Sequence, residues 1–184
     1  MKLSAVSSFL LPLLAAAAEP TPFGVMSSHS ASPVHLLPMN AAGQKFWLGG
    51  ETSSYCPISS GCPDGKYTVF AAGGGALDVV VPGGQQVYVD EDGALSFTQA
   101  HSAYIPPGSS LGPFEHKPGK PFGYYSFNGW GATGFMACPT EDSRWQVFAA
   151  IHNATVPQGN VNDCIGFSAL AVPSNATAGA WQYA

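Results

Sequence analysis

The chain has 184 residues, which is the length of a single domain, and only 9% of them are charged, with a formal net charge of −5. Ordinary globular domains contain about 25% charged residues. Because there is no basic run, we expect neither a nucleic-acid partner nor binding to an anionic membrane surface. A largely neutral surface suits contact with an insoluble polysaccharide matrix.

Residues 1–18 have the pattern of a secretory signal peptide. Lys2 supplies a positive start, residues 3–14 are mostly apolar, and residues 15–18 are the small residues typical of a cleavage site. We predict cleavage after Ala18, which leaves residues 19–184 as one secreted domain. No later stretch has the length and apolarity of a membrane helix or of a GPI-anchor tail, so we expect no membrane anchor.

Short apolar runs separated by turn-forming residues follow one another along the rest of the chain. The predicted strands are 35–39, 45–48, 66–70, 76–81, 86–90, 94–98, 122–127, 131–138, 145–151, 164–172 and 180–183, with residues 106–121 as a long irregular connection. This spacing predicts an all-β, antiparallel β-sandwich of the jelly-roll type. A weak sequence repeat between residues 43–48 and 84–89 leaves a β-trefoil-like barrel as the alternative.

The central segment 76–104 reads as an antiparallel meander. A three-residue loop with Gly93 in the left-handed conformation would pair Val87 with Phe97 and Val89 with Leu95. A two-residue loop would mix apolar and polar side chains on each face, because a slip of one residue exchanges the two faces. We therefore predict the three-residue loop and a meander with one buried face.

The most aromatic stretch is residues 122–130. It contains Asn128-Gly129, which is typical of a two-residue type I′ turn and predicts a hairpin between residues 122–127 and 131–138. Aromatic side chains would lie on both faces of that hairpin.

Two interpretations of these aromatic residues are open. The pattern favours packing of Tyr125, Phe127 and Trp130 in the core. In the alternative, outward-facing rings contact a glycan, and Tyr124 and Trp130 are then the candidate glycan contacts.

The chain has four cysteines. In an oxidising compartment an even number of cysteines indicates disulfides, and the closely spaced pair that a structural zinc site needs is missing. Cys56 and Cys62 would close a short loop, which leaves Cys138 and Cys164 as the second pair. Four cysteines allow three pairings, and the sequence does not choose among them.

Two N-x-[ST] motifs mark Asn153 and Asn175 as N-glycosylation sites, which fits a secreted surface.

A catalytic constellation is not recognisable in the sequence. The carboxylates lie mostly in turns, the five histidines are scattered, and the hydrolase motifs G-x-S-x-G and H-E-x-x-H do not occur. Residues 90–92 are acidic enough to suggest calcium, although hairpin tips are commonly acidic. We expect no enzyme activity, no cofactor and no metal, with a wall-active hydrolase as the weakest alternative.

Several stretches resemble the fungal secreted cell wall protein PhiA family. They are PVHLLPMNAAGQKFWLGG (33–50), SSYCP (53–57), GALSFTQAHSA (93–103), ACP (137–139) and WQVFA (145–149). The resemblance implies a wall-associated glycoprotein of a filamentous fungus that functions in phialide and conidium development, without an assigned activity. Its expected partners are cell wall polysaccharide or wall proteins, and its oligomeric state stays open. A likeness to But2-type C-terminal β domains also favours the sandwich.

Overall fold

The computed structural model describes residues 21–184, and the predicted signal peptide lies outside the described residues. The strands within them are β1 (Phe23–Ser28), β2 (Met39–Ala42), β3 (Lys45–Leu48), β4 (Ser54–Tyr55), β5 (Ala76–Leu77), β6 (Gln85–Val89), β7 (Leu95–Phe97), β8 (Phe114–Lys117), β9 (Gly123–Phe127), β10 (Phe135–Pro139), β11 (Trp145–Ala149), β12 (Ile165–Pro173) and β13 (Gln182–Tyr183). The helical segments are 3₁₀ turns at Gly129–Gly131 and Val161–Asp163. Neither turn in this part of the chain is long and apolar enough to cross a membrane.

Eleven of the strands form one curled antiparallel sheet. Its neighbours follow the order β5-β6-β7-β3-β11-β10-β12-β9-β8, with β1 beside β12 and β2 beside β3, while β4 and β13 form a separate ladder. β12 joins the two halves of the sheet, because residues 165–167 pair with β10 and residues 169–171 pair with β9. The prediction of an all-β antiparallel domain is confirmed. The two segments of the weak sequence repeat, residues 43–48 and 84–89, contain β3 and β6, which lie on opposite sides of β7.

The curl of the sheet encloses a core that is rich in aromatic rings. Six fully buried phenylalanines from different parts of the described chain lie in this core: Phe23, Phe46, Phe70, Phe97, Phe127 and Phe135. Tyr125 lies among them, with its ring centroid 5.1 Å from that of Phe70 and 5.2 Å from that of Phe135. Each aromatic side chain buries about 150–250 Å², so a few rings fill the space between short strands.

The central meander has the predicted register. Val87 pairs with Phe97 and Val89 pairs with Leu95. Gly93 closes the three-residue loop with a φ of +92°, a backbone conformation that glycine adopts without steric cost. All four apolar side chains are completely buried, so the register argument is confirmed.

The prediction that only one face of the meander is buried was wrong. On the opposite face Tyr88, Ser96 and Thr98 are buried as well. The carboxylate of Asp90 and the ammonium group of Lys45 form an ion pair on this side. Lys45 Nζ also donates to Ser96 Oγ at 2.9 Å. Hydrogen-bonded polar side chains can be buried at little cost, and this small polar cluster covers the second face.

The predicted hairpin at Asn128-Gly129 is absent from the described residues. Asn128 has a φ of −121° and begins a 3₁₀ turn. β9 pairs with β8 and β12, and these two strands occupy both of its edges, so β10 cannot pair with β9. A two-residue turn with positive φ at both positions occurs instead at Gly43-Gln44, between β2 and β3, with φ values of +60° and +59°.

Three other predicted boundaries were wrong. His35 and Leu36 lie in a turn, with Leu36 at a φ of +60°, Pro38 makes an isolated β-bridge, and the strand begins only at Met39. Of residues 66–70, only Phe70 makes isolated β-bridges. The predicted irregular connection 106–121 contains β8, which pairs with β9. Pairing partners that are distant in the chain decide all three cases more strongly than local composition does.

Two disulfides join the cysteines as Cys56–Cys62 and Cys138–Cys164, with Cα–Cα distances of 6.2 Å and 4.2 Å. The predicted disulfides are confirmed. The first closes an exposed loop. The second ties β10 to the residue before β12, and Cys138 is completely buried in a second, smaller apolar cluster with Met136 and Phe148.

Candidate functional site

The two predicted glycan contacts, Tyr124 and Trp130, are both exposed, at 54% and 47%. Tyr125 and Phe127 are buried, as the core interpretation predicts, but its placement of Trp130 in the core was wrong. The ring of Tyr124 lies edge-on to Phe122 at a centroid distance of 6.2 Å, whereas the ring of Trp130 lies edge-on to Phe127 at 6.1 Å. Tyr124 and Trp130 belong to two separate surfaces.

The first surface is the outer side of the sheet formed by β1, β12, β9 and β8. The pairing register places Met26, Leu170, Tyr124 and Lys117 in one row across these strands. Val172, 41% exposed, lies two residues beyond Leu170 on the same side of β12. We call the following five residues the outer sheet face: Met26, Phe122, Tyr124, Leu170 and Val172.

Within residues 169–172, β12 turns its small apolar side chains inward and its large ones outward. Ala169 and Ala171 are buried, while Leu170 is half-buried and Val172 is exposed. Burying a leucine or valine side chain contributes about 1.5–3 kcal/mol to folding. Leaving these side chains outside forgoes part of that contribution, so this side of the sheet is a candidate interaction surface.

A shallow apolar hollow of about 260 Å³ adjoins the outer sheet face and shares Met26 and Val172 with it. Tyr67, which is 72% exposed, lines this hollow together with Pro38. At the opposite end of the row, Lys117 pairs with Glu115 at 3.1 Å. The surface is thus apolar across three strands, has tyrosine rings at two places, and carries an ion pair at one edge.

The second surface is a groove of about 520 Å³ next to Trp130. Apolar residues and the Cys138–Cys164 disulfide underlie it, since Met136, Ile151 and Cys164 are among its lining residues. Its polar lining consists of Thr133, His152, Asn153 and Asn162. No Asp, Glu, Lys or Arg belongs to the set of described residues that line it.

The predicted N-glycosylation residues are both exposed. Asn153 lies in a turn after β11 and lines the groove beside Trp130. Asn175 lies in the loop that follows β12. These positions are accessible to a glycosyltransferase, and glycosylation of the two residues stays a prediction.

The titratable groups with shifted pKa values lie apart from both surfaces. Burial raises the pKa of the Tyr125 hydroxyl well above its usual range and also raises the pKa of Tyr183. Burial likewise raises the pKa of the Asp78 carboxyl. Among residues 21–184, no three His, Cys, Asp or Glu side chains are grouped closely enough to hold a metal ion. Asp90, in the acidic turn considered for calcium, is paired with Lys45.

An antiparallel β domain with two disulfides and no free cysteine in the described chain belongs to the class of small domains that oxidising compartments favour. The chain is a member of the PhiA-like secreted protein family, whose model matches residues 23–184. A protein of Arthroderma benhamiae, described as an uncharacterized secreted protein, is 48% identical over the full length of both chains. No solved structure matches the chain.

Sequence reasoning missed most of both surfaces. It identified Tyr124 but not Met26, Leu170 or Val172, although the alternation of small and large side chains at 169–172 was visible in the sequence. In the groove, sequence reasoning identified Trp130 and the glycosylation motif at Asn153. The remaining lining residues carry no recognisable motif, because they come together from β10, the turn after β11 and the second 3₁₀ turn.

Proposed function

We propose that this protein is a non-catalytic, secreted glycoprotein of the cell wall of a filamentous fungus, with a role in forming phialides and conidia. The observation that carries the proposal is the family match over residues 23–184. The relative from Arthroderma benhamiae is described as secreted, and the predicted signal peptide and the two disulfides support the same compartment. Retention in the wall would be non-covalent or mediated by glycans.

Fractionation of the producing fungus tests this proposal. The protein is followed by immunoblot through culture medium, salt and detergent washes, and purified walls, and conidia are counted in a deletion strain. We expect wall-associated protein and fewer conidia. Protein found wholly in the medium, together with normal conidiation, would contradict the proposal.

We further propose that the outer sheet face binds a neutral wall polysaccharide. Its support is the row of Met26, Leu170 and Tyr124, which places apolar side chains and one aromatic ring side by side across three strands. Aromatic rings with a polar end are favoured where one side of a contact is apolar and the other is wet. A sugar chain has this mixed character, with C–H groups on the faces of each ring and hydroxyls around its edge.

Binding to insoluble chitin and β-1,3-glucan tests the second proposal. We expect saturable binding of the purified protein to one polymer, with bovine albumin as the negative control. Tyr124→Ala should weaken that binding about two- to twelvefold, from an aromatic contribution of about 0.5–1.5 kcal/mol. Trp130→Ala is the matched control, since it removes an exposed ring from the other surface. Equal loss in both variants, or no binding by the native protein, would contradict the assignment.

A further inference from the structure

We infer that the groove beside Trp130 is the docking site of an N-linked glycan attached to Asn153 of the same chain. This inference rests on the glycoprotein part of the proposed function. It does not depend on polysaccharide binding by the outer sheet face. The glycan would be an internal ligand that covers the groove.

The first argument is position. Asn153 lines the same groove as Trp130, so the first sugar of a glycan on its side chain would begin inside the groove. The backbone on both sides of Asn153 is anchored. Ile151 is buried, and the Thr155 N–H donates to Asp92 O at 2.9 Å. These contacts hold the backbone of the attachment point beside the groove.

The second argument is chemistry. The first sugars of an N-linked glycan are N-acetylhexosamines, whose ring faces are apolar and whose edges carry hydroxyl and amide groups. Trp130 offers an exposed ring, and Thr133, His152 and Asn162 offer donors and acceptors around it. A site that combines apolar surface with a few polar groups is typical of small-molecule binding. The lining, free of acidic and basic side chains other than histidine, matches an uncharged ligand.

The third argument is size. The groove volume of about 520 Å³ falls within the range of about 300–1,000 Å³ that is usual for small-molecule sites. A second hollow of about 300 Å³ shares Thr133, Ala150 and Gly166 with the groove. It extends the depression toward His29 and Phe167. The two hollows together offer room beyond a single sugar.

The fourth argument is the backbone of Trp130. This residue has a φ of +53° and a ψ of 25°, a left-handed conformation that is unusual for a bulky side chain and costs free energy. Glycines 129 and 131 flank it, so the turn itself could be made without a tryptophan. The strained position holds a large ring at the groove, and a ring that contacts a ligand accounts for keeping it there.

The experiment measures how fast an endoglycosidase removes the glycan at Asn153. Native protein and variants are secreted from a glycosylating host and are treated with the endoglycosidase under non-denaturing conditions. Samples are taken over time, and the fraction of Asn153 that still carries a glycan is measured by peptide mass spectrometry. We expect removal from Trp130→Ala to be about fivefold faster than from native protein, because losing an aromatic contact of about 1 kcal/mol releases the docked glycan. Tyr124→Ala, which removes an exposed ring elsewhere, should match the native rate.

Two results would overturn the inference: an unmodified Asn153 in the secreted native protein, or equal removal rates in native protein and Trp130→Ala. Thr133→Arg is the second variant. It places a long side chain in the groove from an exposed position, and it should also speed removal of the glycan. This variant keeps the test possible if Trp130→Ala does not fold. The chitin and glucan binding assay reports on the outer sheet face alone, so the two proposals fail separately.

Discussion

Two neighbouring tyrosines on β9 have opposite surroundings. Tyr125 is completely enclosed among phenylalanine rings, and its hydroxyl donates to Gly74 O at 2.7 Å. Tyr124, one residue earlier, points to the outside and contacts only Phe122 among the aromatic residues described. Because side chains alternate along a strand, β9 gives one tyrosine to the core and one to the surface.

The two sides of this part of the sheet differ in the same way across β12. The inner side combines large rings from β9 with Ala169 and Ala171, while the outer side combines Tyr124 with Leu170 and Val172. The inner side is therefore buried, and protein interiors of this kind are close-packed, with few voids. The outer side holds apolar groups that are half-buried or exposed in the folded domain.

The largest effect on the free energy of unfolding should come from Tyr125→Ala. It removes a buried ring that packs against Phe23, Phe70 and Phe135, and it removes the hydrogen bond to Gly74. We expect the free energy of unfolding to fall by about 4 kcal/mol, measured by urea denaturation with the disulfides intact. A loss below about 1 kcal/mol, within the range of surface substitutions, would show that this side of β9 is not core.

The next effect tests the small residues of β12. Ala169→Leu inserts three carbon atoms into the buried inner side and should lower the free energy of unfolding by about 2 kcal/mol. The matched variant Leu170→Ala removes three carbon atoms from the outer side and should cost about 1 kcal/mol or less. The same urea titration compares them, and a reversed order would mean that the two sides have been assigned the wrong way round.

Alkaline pH should also distinguish the inner tyrosines. Burial raises the pKa of the Tyr125 and Tyr183 hydroxyls in the folded protein. The unfolded chain therefore loses these protons first, above about pH 10. The contribution of these two hydroxyls to the free energy of unfolding is fully present below that pH. Above it, the free energy of unfolding should fall by about 1.4 kcal/mol per pH unit for each of the two tyrosines.

Unfolding measured between pH 8 and 11 checks this dependence. Tyr125→Phe should reduce the slope above pH 10, whereas Phe127→Leu, which weakens the core without removing a phenol, should keep it. An unchanged slope in Tyr125→Phe would contradict the role of this hydroxyl.

The smallest effect on stability should be that of Tyr124→Ala. The side chain is exposed and its contact with Phe122 lies outside the core, so we expect a change of no more than about 1 kcal/mol. Differential scanning calorimetry at neutral pH measures it. A change close to that of Tyr125→Ala would mean that Tyr124 serves folding and would remove the argument for a binding face.

Sequence alone predicts the regions where one local rule decides the structure. At residues 87–97, a shift of one residue would have exposed large apolar side chains, so the register and the Gly93 loop followed. The presence of disulfides followed from four cysteines in a chain expected to be oxidised, whereas the choice among the three pairings came from the structure. These inferences need no knowledge of distant partners.

The rest depends on contacts that a local pattern does not contain. Asn128-Gly129 has the composition of a type I′ turn, but both edges of β9 belong to strands from elsewhere in the chain. The left-handed backbone of Trp130 directs its ring away from the core, and no neighbouring residue predicts that. The outer sheet face was missed because β1, β9 and β12 are far apart in the sequence and become neighbours only in the folded sheet.

The pairing of β1 with β12 joins two strands that lie at opposite ends of the described chain. Phe23 pairs with Pro173 and Ser28 with Ser168, so the first strand waits for a partner that is synthesised near the end of the matched region. The Cys56–Cys62 loop can close early, whereas the sheet cannot. Such non-local pairings make folding slow, and an unpaired strand edge invites aggregation. We therefore expect β1 to complete its pairing late, after residues 168–173 of β12 have been synthesised.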